Sequence, residues 1–251
     1  MTLALLEYNS KIATLTLNRP ESRNALSLDL LASLHSRVNE LAANQEATVV
    51  VLTGAGKSFC AGMDLKNVSS DEGLAAGLPL KLLRSLAELT IKIRKLPQVV
   101  IAVVNGAAIG GGCGLACVAD LAITHADSKM GFPEVDLGVC PAVVAPWLVR
   151  KIGAGRARAI LLRGGLMTGQ QALDCGIVNQ VVPSVGDLTA ASSELAARIA
   201  SGGPLAMRRT KELLNQLDGS LDEGLVLRGA ELSAAVLATP EAQAMLRGKL
   251  S

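Results

Sequence analysis

The chain has 251 residues, half of them apolar, which suits one large domain with an appendage. Aromatic residues make up 2% and the formal net charge is +2 without a basic block, so composition argues against nucleic-acid binding. Five cysteines without CxxC spacing and two histidines predict free thiols, no metal site and a cytoplasmic protein. No uninterrupted apolar run reaches membrane-spanning length, so we predict no membrane segment.

The first part of the chain predicts a hairpin followed by a helix and a buried strand. Residues 2–8 and 12–17 have the pattern of two short strands. Ser27 is placed to cap a helix, and residues 48–52 form a continuous apolar strand pattern. The apolar stripe of the helix is Leu31, Leu34, Val38 and Leu41.

The alternation of helix and strand then continues. Residues 79–96 have a helical pattern, residues 99–104 form another apolar strand, and a short helix and strand lead to Ile123. This order predicts an α/β domain with largely parallel strands. Residues 67–77 are polar, contain glycine and lack a pattern, so they predict a mobile loop.

Helices dominate the last part of the chain. Thr168 is expected to cap one of them and Gly176 to end it. We therefore predict an α/β core over residues 1–195 and a helical region over residues 196–251 that packs against neighbouring subunits.

Two glycine-containing motifs suggest nucleotide binding, but their spacing argues against it. TGAGKS at 53–58 resembles the second half of a P-loop, yet the position five residues before Gly56 is Val51, inside a strand. GGGCG at 110–114 does not supply the GxGxxG spacing of a dinucleotide-binding turn. We expect neither a nucleoside triphosphatase nor a Rossmann dehydrogenase.

Two loops are the strongest candidates for a functional site. FCAGMDLK at 59–66 and NGAAIGGGCGLA at 105–116 each follow a predicted parallel strand, where α/β sheets place their ligands. Small residues leave main-chain N–H groups exposed, and a helix starting near Gly112 adds its positive end. The pair predicts a site for negative charge developing on oxygen, although the glycines could simply allow tight turns.

Five motifs occur together in the order and approximate spacing of one family. They are NRPESRNAL (18–26), FCAGMDLK (59–66), AVVNGAAIGGGCGLACVAD (102–120), MGFPEVDLG (130–138) and MTGQQALDCGIVNQVVP (167–183). With these motifs the chain resembles the crotonase superfamily, the enoyl-CoA hydratase/isomerase family, from end to end. The resemblance implies a crotonase-like spiral of ββα turns with a C-terminal helical trimerisation region, and a homotrimer or dimer of trimers.

The resemblance also implies an activity on acyl-CoA thioesters, with no cofactor beyond the coenzyme A of the substrate. The backbone amides of Met63 and Gly111 would form an oxyanion hole for the thioester carbonyl. Enolate formation puts negative charge on that oxygen, and one preorganised donor is typically worth about 10²–10³ in rate. The adenine and phosphate arm of coenzyme A would lie near Arg23, Ala61, Asp64, Leu65 and Lys66.

Only one of the two glutamates used by the family's hydratases is present. Their positions correspond to Gly114 and Glu134. Burial among apolar and small residues could raise the pKa of Glu134, so we expect it to be the acid/base. Asp136 is not expected to participate directly. One glutamate suffices for a proton shuttle from the α- to the γ-carbon, as in the 3,2-enoyl-CoA isomerases of the family, although single-glutamate hydratases also exist.

The sequence leaves other functions open and offers further candidate residues. Decarboxylation, thioester hydrolysis and non-catalytic acyl-CoA binding would all use the same oxyanion hole. Cys113 is expected to be buried and inert rather than a nucleophile. His35 and His125 are expected at the surface, and Pro141 and Trp147 are candidates for the acyl pocket.

Overall fold

The computed structural model describes residues 2–64 and 70–250, and in these ranges strands and helices alternate as predicted. The described strands are β1 (Ala4–Asn9), β2 (Ile12–Leu17), β3 (Val49–Gly54), β4 (Ser58–Cys60), β5 (Val99–Val104), β6 (Ala107–Ile109), β7 (Leu121–His125), β8 (Lys129–Gly131), β9 (Leu166–Thr168) and β10 (Gln180–Val182). The hairpin predicted at the start of the chain is confirmed, because β1 and β2 pair antiparallel.

The described helices are of the α type apart from two short 3₁₀ segments, Pro20–Ser22 and Val135–Leu137. They are α1 (Leu28–Ala43), α2 (Asp71–Ala75), α3 (Leu78–Lys95), α4 (Gly111–Val118), α5 (Ala145–Ile152), α6 (Ala154–Arg163), α7 (Gly169–Cys175), α8 (Val185–Ala200), α9 (Pro204–Leu217), α10 (Glu223–Leu237) and α11 (Pro240–Leu250).

The strands form two sheets, and each turn of the spiral adds one strand to each sheet. The larger sheet has the order β1-β2-β3-β5-β7-β10, and the smaller has the order β4-β6-β8-β9. Successive turns place β3, β5 and β7 in the larger sheet, and the following strands β4, β6 and β8 in the smaller one. The neighbours within each of these sets are parallel, so their carboxyl ends meet at one edge. The predicted spiral of ββα turns is confirmed.

Helix boundaries follow the capping residues expected from the sequence. Ser27 accepts a hydrogen bond from the amide of Leu30 at 3.2 Å, and the predicted apolar stripe of α1 is buried. Thr168 and Gln171 form a capping box at the start of α7, and Gly176 ends that helix with a φ of 88°. Local chemistry therefore fixes where these helices begin and end.

The loop predicted at 67–77 is wrong for part of its length. Residues 67–69 lie outside the described residues, but α2 begins at Asp71. The side chain of Ser70 accepts from the amide of Gly73 at 3.0 Å, which is an N-cap that starts a helix. This cap outweighs the glycine and the weak apolar pattern of the segment.

Buried charges tie the helices that follow β10 to the larger sheet. Lys211 of α9 donates to Asp120 at 2.7 Å and to the carbonyl of Gln98 at 2.8 Å. Asp120 also accepts from the amide of Val100 and pairs with Arg94 at 3.3 Å. Charges persist in a protein interior only when they are paired and hydrogen-bonded. This network fixes α9 against the start of β5.

The C-terminal helices are present as expected, and α10 packs along α3. The division into residues 1–195 and 196–251 stays a prediction, and its boundary falls within α8. Packing on neighbouring subunits stays a prediction too. None of the helices in the described ranges is long and apolar enough to cross a membrane.

Candidate active site

The two candidate loops lie side by side. They follow β4 and β6, which are parallel neighbours with Cys60 beside Ala108. Gly62 has a φ of 89°, and a β-carbon on it would lie 2.7 Å from the carbonyl oxygen of Ile109. A β-carbon on Gly112 would lie 2.2 Å from the carbonyl oxygen of Cys60. Only glycine allows the loops to approach this closely.

The amide of Met63 is left free by the bridge that holds its loop. Leu26 donates to the carbonyl of Gly62 at 2.7 Å, and Asp64 donates back to the carbonyl of Leu26 at 3.1 Å. In an extended segment successive amides point to opposite sides, so that of Met63 faces away from Leu26. Among the described residues, the Met63 amide has no acceptor.

Gly111 supplies a second free amide in the neighbouring loop. It is the first residue of α4, where an amide has no acceptor within its own helix. Within the described ranges, no backbone oxygen outside the helix accepts a hydrogen bond from the Gly111 amide either. The positive end of the helix dipole lies at the same point. Gly111 and Met63 line the same cavity, whose volume is about 90 Å³.

Glu134 lies in the wall of this cavity, directly before the second 3₁₀ segment. Its Oε1 atom lies 2.9 Å from the position of a β-carbon on Gly110. Its Oε2 atom is buried and has no hydrogen-bond partner among the described residues. Burial raises the pKa of this carboxyl to about 7, against a backbone hydrogen bond that lowers it. The group is therefore close to half-protonated near neutral pH.

Asp136 faces a different part of the chain. Its Oδ2 atom accepts from the amide of Gly165 at 2.8 Å, and a β-carbon on Gly164 would lie 2.7 Å from its Oδ1 atom. The residue is exposed and does not line the cavity. It connects the segment that carries Glu134 to the turn after α6.

Val144 lies in the cavity wall, and its side chain fills the space beside Gly114. Gly114 is fully surrounded within α4, and a β-carbon on it would lie 2.4 Å from Cγ1 of Val144. Among the described residues that line the cavity, Glu134 is the only carboxylate. The remaining wall near Val144 is apolar, with Val139, Pro141 and Val143.

Asp64, one candidate for the coenzyme A arm, is already paired. Arg19 holds its Oδ2 atom with two guanidinium nitrogens, at 3.1 and 3.2 Å, and donates to the carbonyl of Ala25 at 2.8 Å. Arg19 belongs to the NRPESRNAL motif, but sequence reasoning did not single it out. An ion-pairing role of this kind has no signal of its own in a single sequence.

The other candidates for that arm are Arg23, in the 18–26 segment, and three residues of the 59–66 loop. Arg23 is exposed and has a φ of 52°, and its carbonyl accepts from the amide of Ala61 at 3.0 Å. Ala61 also lines the cavity. The remaining two candidates, Leu65 and Lys66, lie outside the described residues.

The prediction that His125 lies at the surface is wrong, and the same prediction for His35 is wrong in part. His125 is 8% exposed, because its strand pairs with β10, so it is a buried residue rather than a surface one. His35 is half-buried on α1, with its Nε2 atom 3.0 Å from the carbonyl oxygen of Ser85. Neither lines the cavity. In the described ranges no group of three or more His, Cys, Asp or Glu side chains could hold a metal ion.

Of the two acyl-pocket candidates, Pro141 lines the cavity and Trp147 does not. Trp147 is fully buried and donates to the Thr90 hydroxyl at 3.0 Å. Cys113 is buried as expected, and a hydrogen bond with the neighbouring Cys117 thiol together with burial raises its pKa well above the ordinary value.

Free amides beside one carboxylate in an apolar cavity are a typical arrangement for stabilising an anionic oxygen. The profile of the family described as "Enoyl-CoA hydratase/isomerase" matches residues 7–231. The chain belongs to this family and is an acyl-CoA-processing enzyme of the hydratase/isomerase type.

Relatives and solved structures agree with this membership. The chain is 36% identical over 219 residues to a short-chain-enoyl-CoA hydratase of Clostridium acetobutylicum, covering 84% of this chain and 80% of that one. It is 34% identical over 218 residues to a 2,3-dehydroadipyl-CoA hydratase of Escherichia coli, covering 86% and 83%. A crystal structure of an enoyl-CoA hydratase from Mycobacterium avium has a TM-score of 0.87 at 28% identity, covering 100% and 96%.

Proposed function

We propose that this enzyme moves the double bond of an enoyl-CoA thioester through an enolate, with Glu134 as its single acid/base. The amides of Met63 and Gly111 receive the thioester oxygen, where the negative charge of the enolate collects. Both amides are free and both residues line one cavity with Glu134. Fixed donors stabilise such a charge without reorganising, which is the main catalytic contribution expected of this site.

The single observation that carries this choice is the contact between Gly114 and Val144. Position 114 is a glycine, and a β-carbon there would lie 2.4 Å from Cγ1 of Val144. No second carboxylate lines the described part of the wall. Hydration with two carboxylates has no counterpart for its second group here. An apolar wall instead suits a reaction that excludes water.

The proposed reaction needs one group that both takes and returns a proton. Glu134 removes a proton from the α-carbon of a 3-enoyl thioester, and the carbon electrons delocalise onto the thioester oxygen. The enolate then takes the proton at the γ-carbon, which leaves the double bond between the α- and β-carbons. A pKa near 7 suits a group that acts as base and acid in one cycle.

The rest of the substrate is proposed to extend from the cavity mouth along the 59–66 loop. The adenine and phosphate arm would lie near Arg23, Ala61, Asp64, Leu65 and Lys66. Arg19 would keep Asp64 in place through their ion pair at 3.1 Å. We also propose that no cofactor beyond coenzyme A is needed and that the enzyme is a homotrimer or dimer of trimers.

Turnover of 3-enoyl- and 2-enoyl-CoA, followed by product analysis, tests this proposal. We expect interconversion of the two enoyl isomers without net water addition. Glu134→Gln should lower turnover by about 10²–10⁴. Equal rates in wild type and Glu134→Gln would remove Glu134 from the mechanism. The matched control is Glu194→Gln, because Glu194 is exposed and lies on α8.

Hydration is the second candidate, and the names of relatives favour it, since both curated relatives above are hydratases. In that case Glu134 alone would have to activate the water and supply the proton for the α-carbon. The same assay distinguishes the two reactions, because hydration gives a 3-hydroxyacyl-CoA and isomerisation does not.

A further inference from the structure

The size of the cavity bears on which acyl group can be bound. Its volume is about 90 Å³. An apolar cavity of about 150 Å³ holds benzene, with six carbon atoms. On the same scale the present cavity holds about four carbon atoms. The two curated relatives are named for different acyl groups, so their names do not indicate which acyl group this enzyme binds.

The residues of the cavity wall are packed too closely to move outward and admit a longer acyl chain. Leu86 of α3 is buried and lies 3.0 Å from the position of a β-carbon on Gly111, while Val144 closes on Gly114. Leu83 and Val143 line the same cavity and are 4% and 3% exposed. Close-packed side chains of this kind move only at the cost of contacts elsewhere in the core.

Helix α10 holds the wall segment that contains Val143. The Ser233 hydroxyl donates to the carbonyl of Cys140 at 2.6 Å and accepts from the amide of Ala142 at 3.1 Å. A β-carbon on Gly229 would lie 2.3 Å from the carbonyl oxygen of Ala142, so the helix backbone touches the segment directly. These contacts fix the wall from behind.

The lining also limits the chemistry of the acyl group. Among the described residues, its polar side chains are Glu134, Cys140 and Ser233. The Ser233 hydroxyl is already used twice by the backbone. A carboxylate at the end of an acyl group would meet no cation in this part of the wall and would lie near Glu134. An uncharged hydrocarbon group fits both observations.

We propose that the enzyme is specific for short, uncharged acyl-CoA thioesters with acyl groups of about four to five carbon atoms, and that Val143 and Leu83 set this limit. The inference rests on the proposed function, because it assumes that the acyl group enters this cavity. It goes beyond that function by naming the substrate class.

A chain-length series tests the limit by binding as well as by turnover. Saturated butyryl-, hexanoyl-, octanoyl- and decanoyl-CoA are titrated by calorimetry, and the corresponding 3-enoyl thioesters are assayed for turnover. We expect kcat/KM to fall by at least about tenfold between four and eight carbons, since overpacking a fixed wall is unfavourable. Adipyl-CoA, a six-carbon thioester with a terminal carboxylate, should bind more weakly than hexanoyl-CoA.

Enlarging the wall should move the optimum. Val143→Ala and, separately, Leu83→Ala should raise octanoyl-CoA affinity relative to butyryl-CoA, and two variants guard against one that misfolds. Leu162→Ala is the control, because that side chain is 69% exposed and does not line the cavity. The length limit is overturned if wild type binds octanoyl-CoA as tightly as butyryl-CoA and turns over the eight-carbon 3-enoyl thioester as fast as the four-carbon one. Failure of every thioester to bind overturns the proposed function instead.

Discussion

A β-carbon on Gly110 would lie 2.9 Å from Oε1 of Glu134. The carboxylate is therefore seated against the backbone of the residue directly before Gly111, whose amide is free. Gly110 has a φ of 55°, a conformation that side-chain-bearing residues rarely adopt. The glycine thus serves both the turn into α4 and the close approach of the base.

Replacing Gly110 should affect activity more than a comparable glycine elsewhere. Gly110→Ala introduces a β-carbon that pushes the Glu134 carboxylate aside, so we expect kcat to fall by at least about tenfold, since small misplacements of a catalytic group are costly. Gly219→Ala is the control, because Gly219 has a φ of 72° with no atom within 4 Å of an added β-carbon. Equal losses of kcat in both variants, at matched folding by circular dichroism, would contradict the argument.

The buried carboxyl of Glu134 should make stability depend on pH in a defined direction. Its pKa is raised from 4.5 to about 7 in the folded protein. The unfolded chain therefore releases this proton first, and the stability associated with it is complete below pH 4.5 and lost as the pH rises through 7. The change is up to about 3 kcal/mol.

Denaturant unfolding of wild type and Glu134→Gln at several pH values measures this effect. The variant should gain stability relative to wild type between pH 4.5 and 7 and keep that gain above pH 7. Glu194→Gln should show no such change, because its side chain is exposed. A difference between Glu134→Gln and wild type that is the same at pH 4.5 and pH 8 would count against burial of an ionisable group.

The proposed role of the Gly111 amide can be tested by removing its N–H, which proline does while placing its ring Cδ where the proton was. Both Gly111→Ala and Gly111→Pro add a β-carbon, which would lie 3.0 Å from Cδ2 of Leu86, but only proline removes the N–H. Proline is tolerated at the first position of a helix, where Gly111 lies. We expect kcat for Gly111→Pro to be about 10²–10³ lower than for Gly111→Ala. Similar rates in the two variants would exclude this amide as an oxyanion donor.

Much of the fold could be predicted from the sequence because its signals are local. Ser27 and Thr168 cap helices whatever the rest of the chain does, and the hairpin follows from two short apolar runs. The helix α2 was missed, because residues 67–77 are polar, contain glycine and lack an apolar pattern, and the Ser70 cap was not recognised. His125 was misplaced because its burial depends on pairing with β10, more than fifty residues later in the chain.

The same distinction between local signals and tertiary contacts applies to the site. Its loops and Glu134 carry motifs, so the sequence indicated them directly. Of the wall residues only Pro141 was predicted, because Val144 and Ser233 meet the cavity only through tertiary packing. Nothing about a valine thirty residues beyond Gly114, or a serine on α10, marks either as part of a binding site.

The contact between Gly114 and Val144 predicts a strong coupling between two substitutions. Gly114→Ala places a β-carbon 2.4 Å from Cγ1 of Val144, so we expect it to lower the free energy of unfolding by about 1–3 kcal/mol. In a Val144→Ala background the nearest remaining atom, Cβ of residue 144, is 3.1 Å away. Alanine is a better helix former than glycine by about 1 kcal/mol, so Gly114→Ala should then be close to neutral or stabilising.

A double-mutant cycle measured by denaturant unfolding tests this coupling, which should be about 0.5–3 kcal/mol for residues in direct contact. Val149→Ala is a matched control, because Val149 lies on α5 next to the same segment but is 40% exposed. Additive effects of the Gly114 and Val144 substitutions would mean that the wall at residue 144 is not closed.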